Sequence, residues 1–282
     1  MKPLVSVICV CYNHERFVID ALESVKAQTY PHVQLIIVDD GSTDRSAGVI
    51  AQWVSKNQTA QFINLRINQG YCVAFNIGFV QAKGEFIIDL AADDILLPER
   101  ISEGVEGFLS KGEKYGIQFS DATYIDVEGR KIRNHSERFP HGSIPQGDVY
   151  AELIHRYFIC SPTMMVRKSI HDKAGGYDER LYYEDFDLWI RASREYLFFY
   201  IPKALVQKRI VPNSLGQKQY SWNSKQMEST YHVCKKIFVL NRTRQEKNAL
   251  NKRILYELKW NVRFFNLILV VKYLVLLVRN NL

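Results

Sequence analysis

Apolar, largely β-branched residues run almost unbroken over residues 4–11, the pattern of a strand covered on both faces within a parallel sheet. A helical stretch follows, with Phe17, Val18, Leu22 and Val25 spaced by one, four and three, and leads through Tyr30-Pro31 to a second buried strand at 35–38. The order then repeats. A turn precedes a helix around Val49, Ile50 and Val54, a third strand lies near 62–65, a helix runs over about 71–81, and a fourth strand covers 86–88. Strand and helix alternate four times, which predicts a doubly wound α/β sheet.

Past Pro98 the alternation weakens. A helix reaches about residue 110, a strand lies at 117–119, and a hairpin turns at Glu128-Gly129, while 134–147, rich in His, Gly, Pro and Ser, reads as a loop. A strand at 164–166 and a helix beginning near Asp185 lead to a last strand at 197–200. From Asn251 onward Lys252, Lys259, Arg263 and Asn266 recur at spacings of seven, four and three, with Ile254, Leu255, Leu258, Val262 and Phe265 filling the other side of an amphipathic helix. Residues 264–278 are apolar apart from Asn266 and Lys272. Such a segment rises only about 22 Å as a helix, short of the ~20 residues a membrane span needs, so it is expected to lie in a membrane interface.

Composition narrows the class. The 282 residues, 47% hydrophobic and 24% charged with 15 Gly and 8 Pro, suffice for one large domain with an appendage and exclude a collagen-like or disordered chain. The five cysteines, Cys9, Cys11, Cys72, Cys160 and Cys234, are odd in number and scattered, as reduced cytoplasmic thiols would be. Cys9 and Cys11 lack a second pair at zinc-ligand spacing. The N-terminus shows no secretory pattern, so export is not expected. Residues 201–282 hold 16 Lys and Arg against 3 Asp and Glu, a balance of +13 in a chain whose total is +7, which leaves −6 on the first 200. The late basic residues alternate with Leu, Ile, Val and Phe, a pattern suited to an anionic membrane surface and not to nucleic acid.

Candidate chemistry sits where strands end. Ligands of an open parallel sheet bind beyond the carboxyl ends of its strands, and acids fall at two such ends: Asp39-Asp40-Gly41-Ser42 and Asp93-Asp94. The plainer explanation of the first is turn chemistry with a helix cap; for the second it is a helix-initiating loop, although capping does not call for adjacent carboxylates. A third cluster, Glu184, Asp185 and Asp187 among aromatics, opens an amphipathic helix, where acids favour the positive end of the dipole. Neither a G-x-G-x-x-G after a strand nor a G-x-x-x-x-G-K-[ST] is present. A bound diphosphate would need another source of positive charge, and aspartates can supply it by holding Mg²⁺ or Mn²⁺.

At these residues the sequence resembles the family 2 glycosyltransferases of the GT-A fold. The likeness runs from about Val5 to Ser214 through Tyr12-Asn13, the segment 24–30, Asp39-Asp40-Gly41-Ser42-Thr43-Asp44, Asn68-Gln69-Gly70 with Asn76 and Gly78, and Lys83-Gly84-Glu85. It continues through Ala92-Asp93-Asp94 with Pro98, Gly175-Gly176-Tyr177-Asp178, and Glu184-Asp185 with Leu188-Trp189 and Arg191. Each piece is short; their order and spacing together are specific. The resemblance implies a GT-A nucleotide-diphospho-sugar transferase fold over residues 1–215, and the charge and apolar pattern beyond it predict a basic, apolar helical tail over 216–282. It implies that Asp40 reads the base of a sugar nucleotide beside Tyr12, that Asp93 ligates a divalent metal, Mn or Mg, at the last position of a D-x-D motif, and that Asp185 is the general base. Asp39, Asp94 and Glu184 stand as supporting residues. An ionised carboxylate, with an ordinary pKa of ~3.9, is ready as a base at neutral pH, and positioned proton transfer contributes about 10²- to 10⁴-fold. Attack by the acceptor hydroxyl opposite the leaving group inverts the anomeric centre.

Three positions depart from the family pattern. Ala91 occupies the first D-x-D position, Phe75 stands where an arginine often precedes the asparagine, and Val211 where a histidine often serves the metal or diphosphate. His141 and His155 are candidate substitutes, against the plainer reading of surface or loop histidines. The expected partners are a nucleotide sugar, with UDP the expected nucleotide, a glycan or lipid-linked acceptor, and the cytoplasmic face of a membrane met peripherally through the tail. A tail packed on the domain or in a homodimer is the alternative. Rival functions are a nucleotidyltransferase, which usually opens with a Gly-rich basic loop unlike Cys11-Tyr12-Asn13-His14-Glu15, and a catalytically silent sugar-nucleotide or membrane scaffold.

Overall fold

Four parallel strands form one side of a mixed sheet, with the antiparallel pairings beyond them. The computed structural model describes residues 2–139, 144–212 and 220–282. Their elements in chain order are β1 (Val5–Cys11), α1 (Val18–Lys26), β2 (Val33–Asp39), α2 (Ser46–Lys56), β3 (Gln61–Asn64), α3 (Tyr71–Val80), β4 (Phe86–Ala91), β5 (Ile95–Leu96), α4 (Arg100–Lys111), β6 (Tyr115–Ile125) and β7 (Lys131–Asn134). Then come α5 (Tyr150–His155), β8 (Met165–Arg167), α6 (Lys168–Ala174), α7 (Glu184–Ala192), β9 (Leu197–Arg209), α8 (Lys225–Leu240), α9 (Arg244–Arg263) and α10 (Leu267–Asn281). The chain divides into two compact units. The first holds residues 1–147, 159–177 and 196–210; the second holds 148–158, 178–195 and 211–282.

In the first unit the strand order is β3-β2-β1-β4-β8-β6-β9-β5, with β7 paired on β6. β3, β2, β1 and β4 are parallel neighbours, as the repeated strand–helix order predicts, while β8 runs antiparallel to both β4 and β6. Every residue of β1 is buried. On one face Val5, Val7, Cys9 and Cys11 pack with Val18, Leu22, Ile50 and Trp53 of α1 and α2. On the other face α3 comes so close that a Cβ at Gly78 would lie 2.7 Å from the Ile8 side chain and 3.0 Å from that of Val38. Cover on both faces is the reason β1 carries no polar alternation. All five cysteines are free and buried.

The sheet extends further than the sequence pattern indicates. The strand expected at 197–200 runs on to Arg209, because Ile201 pairs with Ser120 and Ala204 with Asp121, so Pro202 and Lys203 bulge out of the ladder and the pairing resumes. The expected hairpin at Glu128-Gly129 joins β6 to β7, with Gly129 at positive φ. Residues 140–143, which include His141, and Asn213 and Ser214 at the end of the family resemblance lie outside the described residues.

The second unit is helical. Within it α9 packs against α5, α8 and α10, and its Thr243 and Glu246 close a reciprocal capping box. The amphipathic face differs from the expected one. Leu250, Arg253, Ile254, Glu257 and Asn261 are buried, whereas Leu255, Val262 and Phe265, expected on the apolar side with Ile254, are exposed. The reason is a buried ion pair: Arg253 Nε donates to Ile154 O (2.8 Å), its Nη1 lies 3.3 Å from Glu257 Oε1, and the guanidinium stacks over Tyr157 at 4.1 Å. α10 buries Leu269, Tyr273 and Leu276 and exposes Leu267, Ile268, Val271 and Val275. Among the described residues no helix is long and apolar enough to cross a membrane.

Candidate active site

Three neighbouring strands of the first unit deliver polar loops to one edge of the sheet. β2 and β4 flank β1 in the same direction, and the pairing continues one step past their ends: Asp40 N–H donates to Cys11 O (2.8 Å) and Ala92 N–H to Val10 O (3.0 Å). The sheet therefore brings the chain at Tyr12, Asp40 and Asp93 to adjacent exits. Tyr12 is exposed, which leaves its ring available to a ligand. Asn13 takes positive φ and fastens the first two exits together: its N–H donates to Ser42 Oγ (2.9 Å) and its Oδ1 accepts from Thr43 N–H (2.7 Å). Glu15 N–H donates to Asp44 Oδ2 (3.1 Å), and Arg45 N–H to Glu15 Oε2 (2.9 Å).

The two carboxylates after β2 do different work. Asp39, fully buried, accepts from Ser42 N–H (2.9 Å) and Ser42 Oγ (2.6 Å), which is the turn chemistry the sequence allows. Asp40, also buried, accepts from Asn68 Nδ2 (3.0 Å), Gln69 N–H (2.8 Å) and Gly70 N–H (3.0 Å). Burial pushes its carboxyl above the ordinary value, against the pull of the two backbone donors. The loop can come this near only because residue 41 is glycine: its φ is +67°, and a Cβ there would meet Ile67 C at 2.5 Å. An ionised carboxylate offers about four acceptor positions, so one remains on Asp40.

Asp93 and Asp94 follow β4. Asp94 is buried, and its Oδ1 accepts from Arg209 N–H (2.8 Å). Its carboxyl is pushed up to about 8, first by burial and then by the charge of Asp93, while Lys208 and Arg209 pull the other way. Asp93 is 15% exposed, and His14 Nε2 stands 3.9 Å from its Oδ2. The buried guanidinium of Arg209 donates to Asp93 O (3.1 Å), lies 3.2 Å from Asp20 Oδ2 and stacks over Phe17 at 4.6 Å. The pair thus sits under a fixed cation, with one carboxylate turned toward solvent. Arg209 and His14 are the residues that sequence reasoning left without a role. Each owes its place to a partner far along the chain, and only the apolar strand end before His14 hinted at it.

Two of the departures have structural accounts. Ala91, the last residue of β4, pairs with Val10 and offers no ligand. Phe75 is fully buried among Phe79, His171 and Tyr177, its ring 4.4 Å from that of Tyr177, so a core contact replaces any phosphate contact there. The neighbouring Asn76 spans the Gly175-Gly176-Tyr177 segment: its Nδ2 donates to Tyr177 O (2.9 Å) and its Oδ1 accepts from Tyr177 N–H (2.8 Å). Gly176 has φ +81°, and a Cβ there would lie 2.3 Å from that Oδ1.

Asp185 and Glu184 belong to the second unit, in the first turn of α7, where Asp185 is buried. The third acid of that cluster, Asp187, is fully buried and consumed by ion pairs: Lys236 Nζ lies 2.6 Å from its Oδ1, and Arg191 Nη2 lies 2.7 Å from its Oδ2. Lys236 also reaches Asp178 Oδ2 (2.9 Å). His155, exposed at the end of α5, is in the second unit too.

A divalent ion fits the residues present only as a guest of its substrate. No cluster of three or more His, Cys, Asp and Glu able to hold a metal occurs among the described residues. Asp93 and His14 together give two partly exposed donor side chains. Mg²⁺ and Mn²⁺ sites of this kind take one or two protein ligands and draw the rest from phosphates and water.

Residues 6–175 match the profile of glycosyl transferase family 2. The chain belongs to this family. The glycosyltransferase is 28% identical over 250 residues to an uncharacterised glycosyltransferase of Methanocaldococcus jannaschii, with 84% of each chain covered. It is 24% identical to the putative teichuronic acid biosynthesis glycosyltransferase TuaG of Bacillus subtilis, over 90% of this chain and 98% of that one. Among solved structures it shares the fold of S. aureus TarS residues 1–349 in complex with UDP-GlcNAc (TM-score 0.72, 17% identity, 98% of this chain and 79% of that one). The mannosyltransferase PcManGT of Pyrobaculum calidifontis, in complex with GDP-Man and Mn²⁺, superposes with a TM-score of 0.67 at 14% identity, over 99% and 75% of the two chains. The expected mixed GT-A-like α/β sheet with C-terminal helices is the fold observed, and the family assignment removes the nucleotidyltransferase alternative.

Proposed function

We propose that the enzyme transfers one sugar, with inversion, from a nucleotide-diphosphate sugar, UDP-linked by preference, to a hydroxyl of a glycan or lipid-linked oligosaccharide. The observation that carries this reading is the arrangement of Tyr12, Asp40 and Asp93 at the carboxyl ends of β1, β2 and β4 in a family 2 chain. The fourth acceptor position of Asp40 suits a single ring N–H, which uracil offers at N3, and Tyr12 supplies a face for that base. Asp93 holds a divalent ion, Mn²⁺ or Mg²⁺, which when bound neutralises charge on the departing diphosphate. Relatives of the same fold carry UDP-GlcNAc in one case and GDP-Man with Mn²⁺ in another. Asp39, tied to Ser42, and Asp94, tied to Arg209, support the loops that carry Asp40 and Asp93.

Asp185 acts as the base that takes the acceptor proton, with Glu184 beside it. This chemistry belongs to residues 1–215. Residues 216–282 bring the enzyme to a cytoplasmic membrane face: α10 exposes Leu267, Ile268, Val271 and Val275, with Arg263, Lys272 and Arg279 to meet anionic headgroups, and polybasic flanks contribute on the order of 1 kcal/mol per Lys or Arg. An acceptor among cell-envelope polysaccharides is in keeping with the likeness to TuaG, a putative teichuronic acid biosynthesis glycosyltransferase. The test is Asp185→Asn, which leaves UDP-sugar affinity unchanged in calorimetry and abolishes transfer; a variant with full transfer activity removes Asp185 from its role.

A further inference from the structure

His14 holds an unusual position between structure and solvent. Its backbone is fully used: the N–H donates to Ser46 Oγ (3.0 Å), and the carbonyl accepts from Phe17 N–H and Val18 N–H, both at 2.9 Å. Its ring does none of this work. Nδ1 is buried without a hydrogen-bond partner, the ring meets Phe17 edge-on at 6.4 Å, and Nε2 faces Asp93 Oδ2 at 3.9 Å from the neighbouring strand exit. That gap is too long for a hydrogen bond and about 1 Å wider than the ~3 Å that separates adjacent ligands of an octahedral ion with ~2.1 Å bonds, so a small side-chain rotation is needed to bring both atoms onto one ion. A nitrogen donor and a carboxylate oxygen thus face each other from two loops that are pinned through other atoms. Ala91 gives no ligand at the end of β4 and Asp94 is buried and tied to Arg209, whereas His14, on the β1 exit, faces Asp93.

We propose that His14 is a nitrogen ligand of the divalent ion that Asp93 holds on the donor diphosphate, and that it biases the site toward Mn²⁺ or Co²⁺ over Mg²⁺. The inference rests on the metal-assisted reading above. Its chemistry follows from ligand type: Mg²⁺ prefers all-oxygen shells and dehydrates reluctantly, whereas an imidazole raises affinity for later first-row ions.

The test uses the full-length chain, with any histidine tag removed, and Mn²⁺ with UDP as the probe. Pulsed electron paramagnetic resonance of the ternary complex is expected to show ¹⁴N modulation from a coordinated imidazole, absent in His14→Gln. In calorimetry with UDP present, His14→Gln is expected to weaken Mn²⁺ by at least ~10-fold and to change Mg²⁺ by less than about 3-fold, with an unchanged melting temperature showing that the loop remains folded. Mn²⁺ bound with UDP in the wild-type chain but without ¹⁴N modulation overturns the role of His14 and leaves the transfer reading standing. Equal losses for Mn²⁺ and Mg²⁺ overturn the selectivity. Failure of the wild-type chain to retain Mn²⁺ with UDP overturns both this inference and the metal assignment of Asp93.

Discussion

Replacing Asp40 separates what its carboxylate does for the fold from what it does for a donor. In Asp40→Ala three donors, Asn68 Nδ2, Gln69 N–H and Gly70 N–H, lose their acceptor at once. Hydrogen bonds to a charged group contribute ~1.5–3 kcal/mol each. Asn68 and Gln69 are exposed, so water recovers part of that loss, and the net cost is expected to be about 2–4 kcal/mol. Asp40→Asn keeps one oxygen. Set toward Asn68 and Gly70 it preserves two of the three bonds and turns an amide NH₂ against Gln69 N–H, for a cost of about 1–2 kcal/mol. Urea unfolding followed by circular dichroism measures both, and UDP calorimetry on the same samples reads the donor side. If Asp40→Ala unfolds within 0.5 kcal/mol of the wild type, the clasp between the β2 exit and residues 68–70 does not hold in solution and the reasoning fails.

The buried pair on α9 makes a second test: Arg253→Met strands a buried Glu257 and is expected to cost ~3–5 kcal/mol, while Arg253→Met with Glu257→Leu recovers most of it. Thermal melts decide this, and a double variant no better than the single one contradicts it. Acid sensitivity follows from Asp178, whose carboxyl Arg180 and Lys236 hold well below the ordinary value. A depressed carboxylate contributes stability that is present above its unfolded pKa of ~3.9 and lost as pH falls toward the folded value. Stability should therefore drop below about pH 4, and Asp178→Asn should flatten that slope in pH-dependent melts; an unaltered slope refutes the assignment. Vesicle co-sedimentation tests the tail: the chain should bind phosphatidylglycerol-containing vesicles over phosphatidylcholine, and Val271→Asp with Val275→Asp, both at exposed positions, should release it. Equal binding to both lipids contradicts the electrostatic part.

The parallel half of the sheet is readable because β1, β2 and β4 are covered on both faces and so carry nearly continuous apolar runs, interrupted only at Ser6, Gln34 and Asp89 before the strand ends. β9 is not, since Pro202 and Lys203 interrupt its pattern and only the bulge opposite Ser120 and Asp121 lets the ladder continue. The buried face of α9 is hidden for a different reason. Its core is built on an ion pair roofed by Tyr157, and no periodicity of apolar residues reports such a pair. Within the site, Asp40 and Asp93 stand out as acids at strand ends, but the consumption of Asp187 by Lys236 and the meeting of His14 with Asp93 depend on partners distant in sequence. Phe75 likewise reads as a missing arginine until His171 and Tyr177 are seen around it.

Whether Asp93 holds an ion on the donor is decided by a calorimetric titration of UDP-GlcNAc into the wild-type chain and Asp93→Ala, each with Mn²⁺ and with chelator. Donor affinity is expected to rise at least ~10-fold with the ion in the wild type and to show no gain in Asp93→Ala. A wild-type affinity indifferent to the ion, or a gain that survives the loss of Asp93, contradicts the account.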